Sequence, residues 1–525
     1  MTRHDKEARM SPRYWTYLTA AALLVLSGCG EEDRSSPPPK TATAATEIAW
    51  RHGDVADAFA EASEQNKPVL LYWGAVWCPP CNQLKAGLFR NPDFISRTRD
   101  VIPVYLDGDT PGAQAWGERF GVTGYPTLIL LRPDRSEVTR LSGTGDSAQV
   151  ASALDAVHRG TGNVDTLLQR VRSRQSLSND DWALLAGYGG WHDPSRSATA
   201  ATTLAALAAA APDARLQRQF LLQAQTVRPD TAPLLSPAES NRLRHALTTV
   251  LADPAEVRAN RASLSYGAVK LVNGAVPGGG ADRQRIGEAI VGALDALFVD
   301  TRLVASERLA SVDAAVALYR DRAGPAAPPA AALLAKVRER VAWADRSVTS
   351  PYERQAVISG AAHLLADAGD AAGAQRLLEA ELKRSRTPYY YMPALAELAE
   401  ARGDRRQAID WLRRGYETSE GPASRVQWGV TYVEGLLRLT PTDHAAIEKA
   451  SGAVISELAS QPEGYRQRTR TRLEKLGKAL AAWGTEQNGS ATLARLRTAG
   501  KKSCSGQQDA AVATACRNWL PPGIA

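Results

Sequence analysis

The chain has 525 residues, of which 44% are hydrophobic, and its 63 basic and 56 acidic residues leave a formal net charge of +7. Because a single core stops growing at about 250–300 residues, we expect about two or three domains. The basic residues form neither a long block nor a stripe interleaved with aromatic residues. This distribution argues against nucleic-acid binding, which concentrates basic charge on one face.

Residues 1–28 have the order of a secretory signal. Basic residues precede the apolar stretch 17–26, which is shorter than the roughly 20 residues that span a bilayer, so a signal peptide is favoured over a permanent transmembrane helix. The string Leu26-Ser27-Gly28-Cys29 resembles a bacterial lipobox, which implies lipidation of Cys29; the alternative is an ordinary signal with an unrelated cysteine. Residues 29–47 are polar and contain three consecutive prolines, which predicts a disordered tether.

A lipoprotein signal and an ordinary secretory signal both predict that the folded part of the chain is exported from the cytoplasm. With lipidation, the chain faces the periplasm and is attached to a membrane of the bacterial envelope through its lipid. Gly30, not an aspartate, follows the cysteine. This favours the outer membrane slightly over the inner membrane.

Residues 48–160 predict an α/β domain. Apolar residues at intervals of three and four indicate a helix over 54–66, and the continuous apolar run Val69–Trp73 is typical of a strand buried on both faces of a sheet. The motif WCPPC, residues 77–81, follows this strand and precedes helix formers at 82–89. The two cysteines of the motif therefore straddle a strand-to-helix turn.

That turn has a chemical consequence. Unpaired backbone amides and the helix dipole stabilise a thiolate at a helix N-terminus. We therefore expect Cys78 to be an exposed nucleophile with a lowered pKa and Cys81 to be the buried thiol that resolves a mixed disulfide. Pro79 and Pro80 suit the first helical turn, where a missing N–H costs nothing.

Further elements follow in alternation. Pro126, in Gly124-Tyr125-Pro126-Thr127, cannot donate to a strand ladder and must stand at a strand start or at an edge. The pattern predicts a strand at 101–106, a helix at 113–120, a strand at 127–131, an edge strand at 137–141 and a closing helix at 148–158.

WCPPC after an apolar strand, followed later by GYPT, resembles the thioredoxin superfamily. The run KPVLLYWGAVWCPPCNQLKAGLFRNPDF is similar to the periplasmic C-terminal domain of the DsbD family and related exported reductases, and the resemblance covers about a fifth of the chain. It implies the thioredoxin fold, redox roles for Cys78 and Cys81, and a cis Pro126. It also implies a substrate-binding wall around the cysteines, formed by Trp77, Pro79, Pro80, Tyr125 and Pro126.

Two carboxylates of the DsbD domain are missing here. Tyr72 stands six residues before the first cysteine and Lys85 seven residues after it, at the positions of those acids. A nearby carboxylate raises thiol pKa values and serves as a base for the resolving cysteine. Without it we expect a lower Cys78 pKa or slower resolution. We predict a reductase of exported protein disulfides supplied by a membrane reductant donor; an oxidant or isomerase stays open.

Other interpretations of the CxxC pair are weaker. A zinc site needs a second ligand pair, whereas no other CxxC is present and the seven histidines are scattered, so we expect neither a metal nor another cofactor. A purely structural disulfide would close only four residues and restrain little chain entropy. A different class of protein, a redox-silent adaptor, is the remaining alternative.

The rest of the chain predicts helices, with a helical domain at 161–323 and tetratricopeptide-like repeats at 324–500. Gly369-Asp370 and Gly403-Asp404 are 34 residues apart, and Ala374, Leu378 and Leu364 recur as Ala408, Leu412 and Leu398. Chance similarity in an alanine-rich chain is the alternative. Helical repeats bind peptides or proteins on a concave surface, so we expect a protein partner there, with a spacer role as the alternative.

The tail, residues 501–525, carries Cys504 and Cys516, twelve residues apart. In an exported protein we expect these two to form a structural disulfide that pins the last helix, with a stabilisation of about 2–4 kcal/mol. They lack the CxxC spacing of a second redox centre.

Overall fold

The computed structural model describes residues 47–52, 54–142, 147–160, 162–324, 327–328, 330–461 and 463–521. The predicted signal peptide 1–28, the lipidation site Cys29 and all of the predicted tether except Glu47 lie outside these residues.

A four-stranded sheet forms the N-terminal part, with the order β2-β1-β3-β4. Its strands are β1 (Val69–Gly74), β2 (Ile102–Asp107), β3 (Thr127–Leu131) and β4 (Glu137–Ser142). β1 runs parallel to β2 and antiparallel to β3, and β4 forms the predicted edge. Every residue of β1 is buried, which explains its uninterrupted apolar sequence. Because β1 and β3 are antiparallel, the end of β1 lies beside the start of β3.

Helices lie on both faces of this sheet: α1 (Val55–Gln65), α2 (Pro79–Ala86), α3 (Pro92–Arg97), α4 (Pro111–Arg119) and α5 (Ser147–His158). Their starts follow from the sequence, since the side chains of Asp54, Asn91 and Thr110 accept hydrogen bonds from first-turn amides of α1, α3 and α4. Helix α2 begins three residues before the predicted start at 82, because proline is well suited to the first helical turn.

The described part of the chain after α5 is helical, which confirms the predicted fold class. Its helices are α6 (Val164–Arg172), α7 (Asn179–Gly187), α8 (Pro194–Ala210), α9 (Ala214–Val227), α10 (Pro237–Ala252), α11 (Pro254–Ala259), α12 (Arg261–Tyr266), α13 (Ala268–Ala275), α14 (Ala281–Asp295), α15 (Ala305–Ala310), α16 (Asp313–Ala323), α17 (Ala331–Ser347), α18 (Pro351–Asp367), α19 (Ala371–Leu382), α20 (Met392–Ala401), α21 (Arg405–Thr418), α22 (Pro422–Leu439), α23 (His444–Ala459), α24 (Gln467–Glu486), α25 (Ser490–Ser503) and α26 (Ala510–Arg517). Short 3₁₀ turns occur at Leu88–Arg90, Thr98–Asp100, Gly189–His192, Ala296–Val299, Pro388–Tyr390 and Cys504–Gly506. None of the described helices is both long and apolar enough to cross a bilayer.

The sequence repeat corresponds to two helix pairs, α18–α19 and α20–α21. Gly369 and Gly403 end the first helix of each pair with φ values of 94° and 79°, a region that favours glycine. Asp370 and Asp404 then cap the second helix of each pair. The equivalent alanines and leucines are buried in both pairs. The two units are thus built alike, whereas their assignment as tetratricopeptide repeats stays a prediction.

The core on one face of the sheet continues into the helical region. Leu70 and Tyr72 of β1 belong to the same apolar cluster as Leu167, Trp182 and Phe220 from α6, α7 and α9. The other face of the sheet packs against α1 and α4 in a separate cluster. Residue 160 is the predicted end of the N-terminal domain, but the apolar contacts continue past it. The helices α6 to α9 therefore pack against the sheet as part of one core. The domain limits chosen from the sequence stay predictions.

In the tail, Cys504 and Cys516 form a disulfide. Both cysteines are buried, and they belong to a cluster that also contains Trp483, Leu493 and Trp519. The bridge therefore ties α26 to the end of α25 within a packed core.

Candidate redox site

The cysteine turn connects the buried strand β1 to helix α2. Cys78 is the N-cap of α2, and its Sγ accepts a hydrogen bond from the Cys81 amide at 3.2 Å. The two cysteines form a disulfide, and Pro79 and Pro80 occupy the first helical turn between them. The sulfur of Cys78 is thereby held at a helix N-terminus, where backbone amides stabilise negative charge.

The start of β3 brings the second wall to this turn. The Tyr125–Pro126 peptide bond is cis, and β3 begins at the following residue, beside the end of β1. The ring centroids of Trp77 and Tyr125 are 6.3 Å apart. Pro79 is buried and Pro80 is half-buried in the same turn. The structure thus brings the predicted wall residues together around the cysteine pair.

The expectation that Cys78 is exposed is wrong for this conformation. Cys78 is 2% exposed, Cys81 is 0% exposed and Trp77 is 8% exposed. The physical reason is that the C-terminal helices pack over the turn and form an aromatic cluster with it. The cluster consists of Ala75, Trp77, Cys78, Cys81, Tyr389, Tyr416 and Trp428.

Gln355, in α18, makes polar contacts with the redox turn. Its Nε2 donates hydrogen bonds to the Trp77 carbonyl oxygen at 2.9 Å and to Thr387 Oγ1 at 2.6 Å. Its Oε1 accepts from Asn82 Nδ2 at 2.8 Å. Gln355 and Asn82 are both buried. One amide side chain of the helical region therefore bonds to residues on both sides of the cysteines.

Aromatic rings of the helical region cover Trp77. The Tyr390 ring is stacked on the indole with centroids 6.2 Å apart and an interplanar angle of 18°. Trp428, from α22, meets the indole edge-on at 5.3 Å. Trp428 is itself held in place, because its Nε1 donates to the Tyr389 carbonyl oxygen at 2.9 Å. Such pairs of rings prefer these stacked and edge-on arrangements.

Helix α24 covers the Tyr125 side of the site. The Arg468 guanidinium lies 5.3 Å from the Trp77 ring centroid and 4.9 Å from the Tyr125 ring centroid, within cation–π range of both. Burial lowers the pKa of Arg468 below its usual value. The neighbouring Gln467 accepts a hydrogen bond from the Tyr125 hydroxyl at 3.2 Å and donates to the Val122 carbonyl oxygen.

A buried carboxylate joins the loop after β2 to helix α22. Asp109 Oδ1 accepts a hydrogen bond from the Ser424 amide at 2.7 Å, in the first turn of α22. The N-cap of that helix is Gly421, which has a φ of 91° and no side chain to serve as a cap. Asp109 thus supplies the cap from a different part of the chain. Burial raises the pKa of Asp109 to about 6, although the hydrogen bonds from Ser424 act in the opposite direction.

Neither of the two missing acids is replaced by another carboxylate, because their positions hold Tyr72 and Lys85. The Tyr72 hydroxyl is buried and has no hydrogen-bond partner among the described residues. Lys85 Nζ lies 5.3 Å from the Tyr105 ring centroid, and burial lowers the pKa of its amine.

Within the described ranges, no group of three or more His, Cys, Asp or Glu side chains is arranged to hold a metal.

Sequence reasoning missed Asp109, Gln355 and Arg468. Asp109 carried a usable signal, because a polar residue just after β2 lies at the same edge of the sheet as the cysteine turn after β1. Gln355 and Arg468 carried none, since their contact with residues near position 77 depends on how the helices stack.

The fold and this turn define a thioredoxin-like thiol–disulfide oxidoreductase domain. Residues 55–158 match a family model described as a thioredoxin-like domain. The chain is 35% identical over 92 residues to thioredoxin of Mycobacterium tuberculosis, covering 18% of this chain and 75% of that protein. The chain therefore belongs to the thioredoxin family.

Two further similarities concern a thiol:disulfide interchange protein and a solved thioredoxin structure. The chain is 27% identical over 159 residues to thiol:disulfide interchange protein DsbD 1 of Pseudomonas aeruginosa, covering 27% of this chain and 26% of that protein. The chain thus spans about a quarter of the length of the DsbD relatives that it matches. A solved thioredoxin from Thermus thermophilus is 26% identical, covers 21% of this chain and 88% of its own, and has a TM-score of 0.20.

Proposed function

We propose that this protein is a thiol–disulfide oxidoreductase that reduces disulfides of exported proteins through Cys78 and Cys81. One observation carries the proposal: the cysteine pair sits at the N-terminus of α2 with the cis Tyr125–Pro126 bond beside it. This arrangement provides an activated thiolate, a second thiol next to it and a wall for an incoming chain.

The reaction is an exchange that moves two electrons. The Cys78 thiolate attacks one sulfur of the substrate disulfide, the other substrate sulfur leaves as a thiolate and takes up a proton, and a mixed disulfide forms. Cys81 loses its proton and attacks Cys78 Sγ, which releases the second substrate thiol. The substrate is reduced, and the Cys78–Cys81 disulfide is formed. A membrane reductant donor would return the enzyme to the dithiol.

The similarity to a thiol:disulfide interchange protein supports exchange chemistry, and the reducing direction is part of the proposal. An oxidant or isomerase of the same fold differs only in the relative stability of dithiol and disulfide. Titration of the full chain against glutathione or dithiothreitol separates these possibilities. A potential near or below about −230 mV supports the reductase, whereas one near about −120 mV identifies an oxidant.

The proposed location is the periplasmic side of the bacterial envelope. The order of basic and apolar residues before Cys29 supports export, and the lipobox-like string supports a lipid anchor, with the outer membrane slightly favoured. The predicted helical repeats at 324–500 would bind a protein partner. Metabolic labelling with a palmitate analogue, with Cys29→Ala as the matched control, tests the anchor.

Substrate trapping tests the central role of the pair. In a Cys81→Ser variant, the mixed disulfide on Cys78 is not resolved, so we expect covalent adducts with an added disulfide protein such as insulin on non-reducing gels. The double variant Cys78→Ala, Cys81→Ser is the matched control and should form none. Absence of adducts in Cys81→Ser, while iodoacetamide still modifies Cys78, would contradict the proposal and favour the redox-silent adaptor.

A further inference from the structure

The cysteine pair is covered in the conformation described above. Disulfide exchange requires a third sulfur to reach one sulfur of the pair along the S–S axis. With Cys78 2% exposed and Cys81 0% exposed, the sulfur of a protein substrate does not reach either of them. A movement that uncovers Cys78 must therefore precede exchange with a protein.

The helical region is attached to the N-terminal part in two different ways. At the sheet, α6 to α9 share a continuous apolar core with β1. At the redox turn, the contacts are a small apolar cluster of seven buried residues together with hydrogen bonds and ring contacts from α18, the turn at 388–390, α22 and α24. Water can replace the hydrogen bonds at a small net cost, and separating the seven cluster residues exposes less hydrocarbon than separating the much larger core shared with β1. The redox-turn contacts are thus the ones that can open while the core stays closed.

We propose that Gln355, Tyr390, Trp428 and Arg468 form a built-in cap that keeps protein substrates away from Cys78 and must withdraw before disulfide exchange. The inference rests on the proposed function, because it describes regulation of the same site. In the closed state, the cap takes up a backbone hydrogen-bond acceptor next to the cysteines, because Gln355 Nε2 donates to the Trp77 carbonyl oxygen. It also covers both rings of the site, since Arg468 contacts the Trp77 and Tyr125 faces.

The test compares a cap variant with wild type, both reduced and with the full chain intact. The double variant Gln355→Ala, Tyr390→Ala removes one polar and one aromatic contact with Trp77 and leaves the cysteines, the prolines and Tyr125 unchanged. Matched controls are Gln169→Ala, in α6, and Tyr266→Ala, whose side chain is 76% exposed. The single variants replace the double variant if circular dichroism shows that the latter is not folded.

Two rates are measured for each protein: modification of Cys78 by iodoacetamide and reduction of insulin. Losing the buried hydrogen bonds of Gln355 destabilises the closed state, so we expect both rates to rise about tenfold or more in the cap variant. The control variants should react like wild type.

The outcomes separate the cap from the oxidoreductase function. Equal rates in wild type and cap variant, with insulin reduced by both, would overturn the cap and leave the function standing. Faster modification of the cap variant, with insulin reduced by neither protein, would support the cap and overturn the function. Equal modification without insulin reduction would overturn both.

Discussion

Asp109 is a carboxylate enclosed between two distant parts of the chain. It is 6% exposed, and its partner is the amide of Ser424, 315 residues further along. Removal from water penalises the charged form, and this effect exceeds the stabilisation by the hydrogen bonds from Ser424, so the pKa is raised to about 6. At neutral pH the folded protein therefore holds a carboxylate that would be more stable in water.

The raised pKa predicts the pH dependence of stability. The folded state retains the Asp109 proton up to about pH 6, whereas the unfolded chain releases it near the ordinary aspartate pKa of 3.8. The contribution of Asp109 is therefore fully present below the lower pKa and is lost as pH rises through the higher one. We expect the free energy of unfolding of wild type, minus that of Asp109→Asn, to fall between about pH 4 and pH 6 in urea titrations.

A matched carboxylate provides the control. Asp134 is exposed, and hydrogen bonds from Ser136 hold its pKa below the usual value. The contribution of Asp134 to stability is lost as pH falls. The free energy of unfolding of wild type, minus that of Asp134→Asn, should therefore not decrease as pH rises over the same range. If the free energy of unfolding of wild type, minus that of Asp109→Asn, does not change with pH, burial does not raise the pKa of Asp109 as described.

At the scale of elements, α22 depends on a cap that it does not contain. Gly421 precedes the helix with a φ of 91°, and a Cβ at this position would lie 2.7 Å from Asp109 Cγ. The absence of a side chain at Gly421 therefore makes room for the carboxylate that caps the helix. Trp428 lies on the same helix, so the position of this helix also fixes part of the cover over the redox turn.

Substitution of that glycine should destabilise the protein. We expect Gly421→Ala to lower the free energy of unfolding by about 1–3 kcal/mol, because alanine is strained at a positive φ and its methyl group would displace Asp109. The control is Gly292→Ala, in the last turn of α14, where an added Cβ meets nothing within 4 Å. That change should raise stability by about 0.5–1 kcal/mol in the same denaturant titration. Similar effects of the two substitutions would contradict the interpretation of Gly421.

The elements of the N-terminal part were predictable because their signals are local. A run of apolar residues predicted β1, and the WCPPC spacing placed the cysteines at the start of α2. Proline predicted the start of β3 at Thr127. The cover over Cys78 was not predictable, because Gln355 reaches Trp77 across 278 residues, a contact that depends on the angles at which many helices stack.

At the scale of the whole molecule, the helical region starts on one face of the sheet and returns to the redox edge. Tyr72 and Leu167 share the core where it starts, and Trp77 and Tyr390 are in contact where it returns. The chain forms one further apolar cluster between these two points and two others that extend past the second point towards the tail. The angle at which successive helix pairs stack therefore determines whether the last helices reach the cysteines.

The terminal disulfide should support this arrangement without taking part in the chemistry. We expect the double variant Cys504→Ser, Cys516→Ser to lose about 2–4 kcal/mol of unfolding free energy, because the bridge restrains the unfolded chain. Its insulin reduction below the unfolding transition should equal that of wild type. The comparison is Cys78→Ser, Cys81→Ser, which opens a much shorter loop and should cost less stability but abolish reduction. Loss of reduction in the tail variant would contradict a structural role.

The burial of Cys78 also affects its chemical lifetime. A thiolate beside a helix N-terminus is readily oxidised by peroxide to sulfenic acid and then irreversibly to sulfinic acid, at a rate that depends on access to the sulfur. A sulfur that is 2% exposed meets such oxidants only while it is uncovered. In the oxidising compartment proposed for this protein, the packing over the turn would therefore protect the reduced cysteine from oxidants between encounters with substrate. Because the cover must open before each exchange, the same packing would also slow turnover.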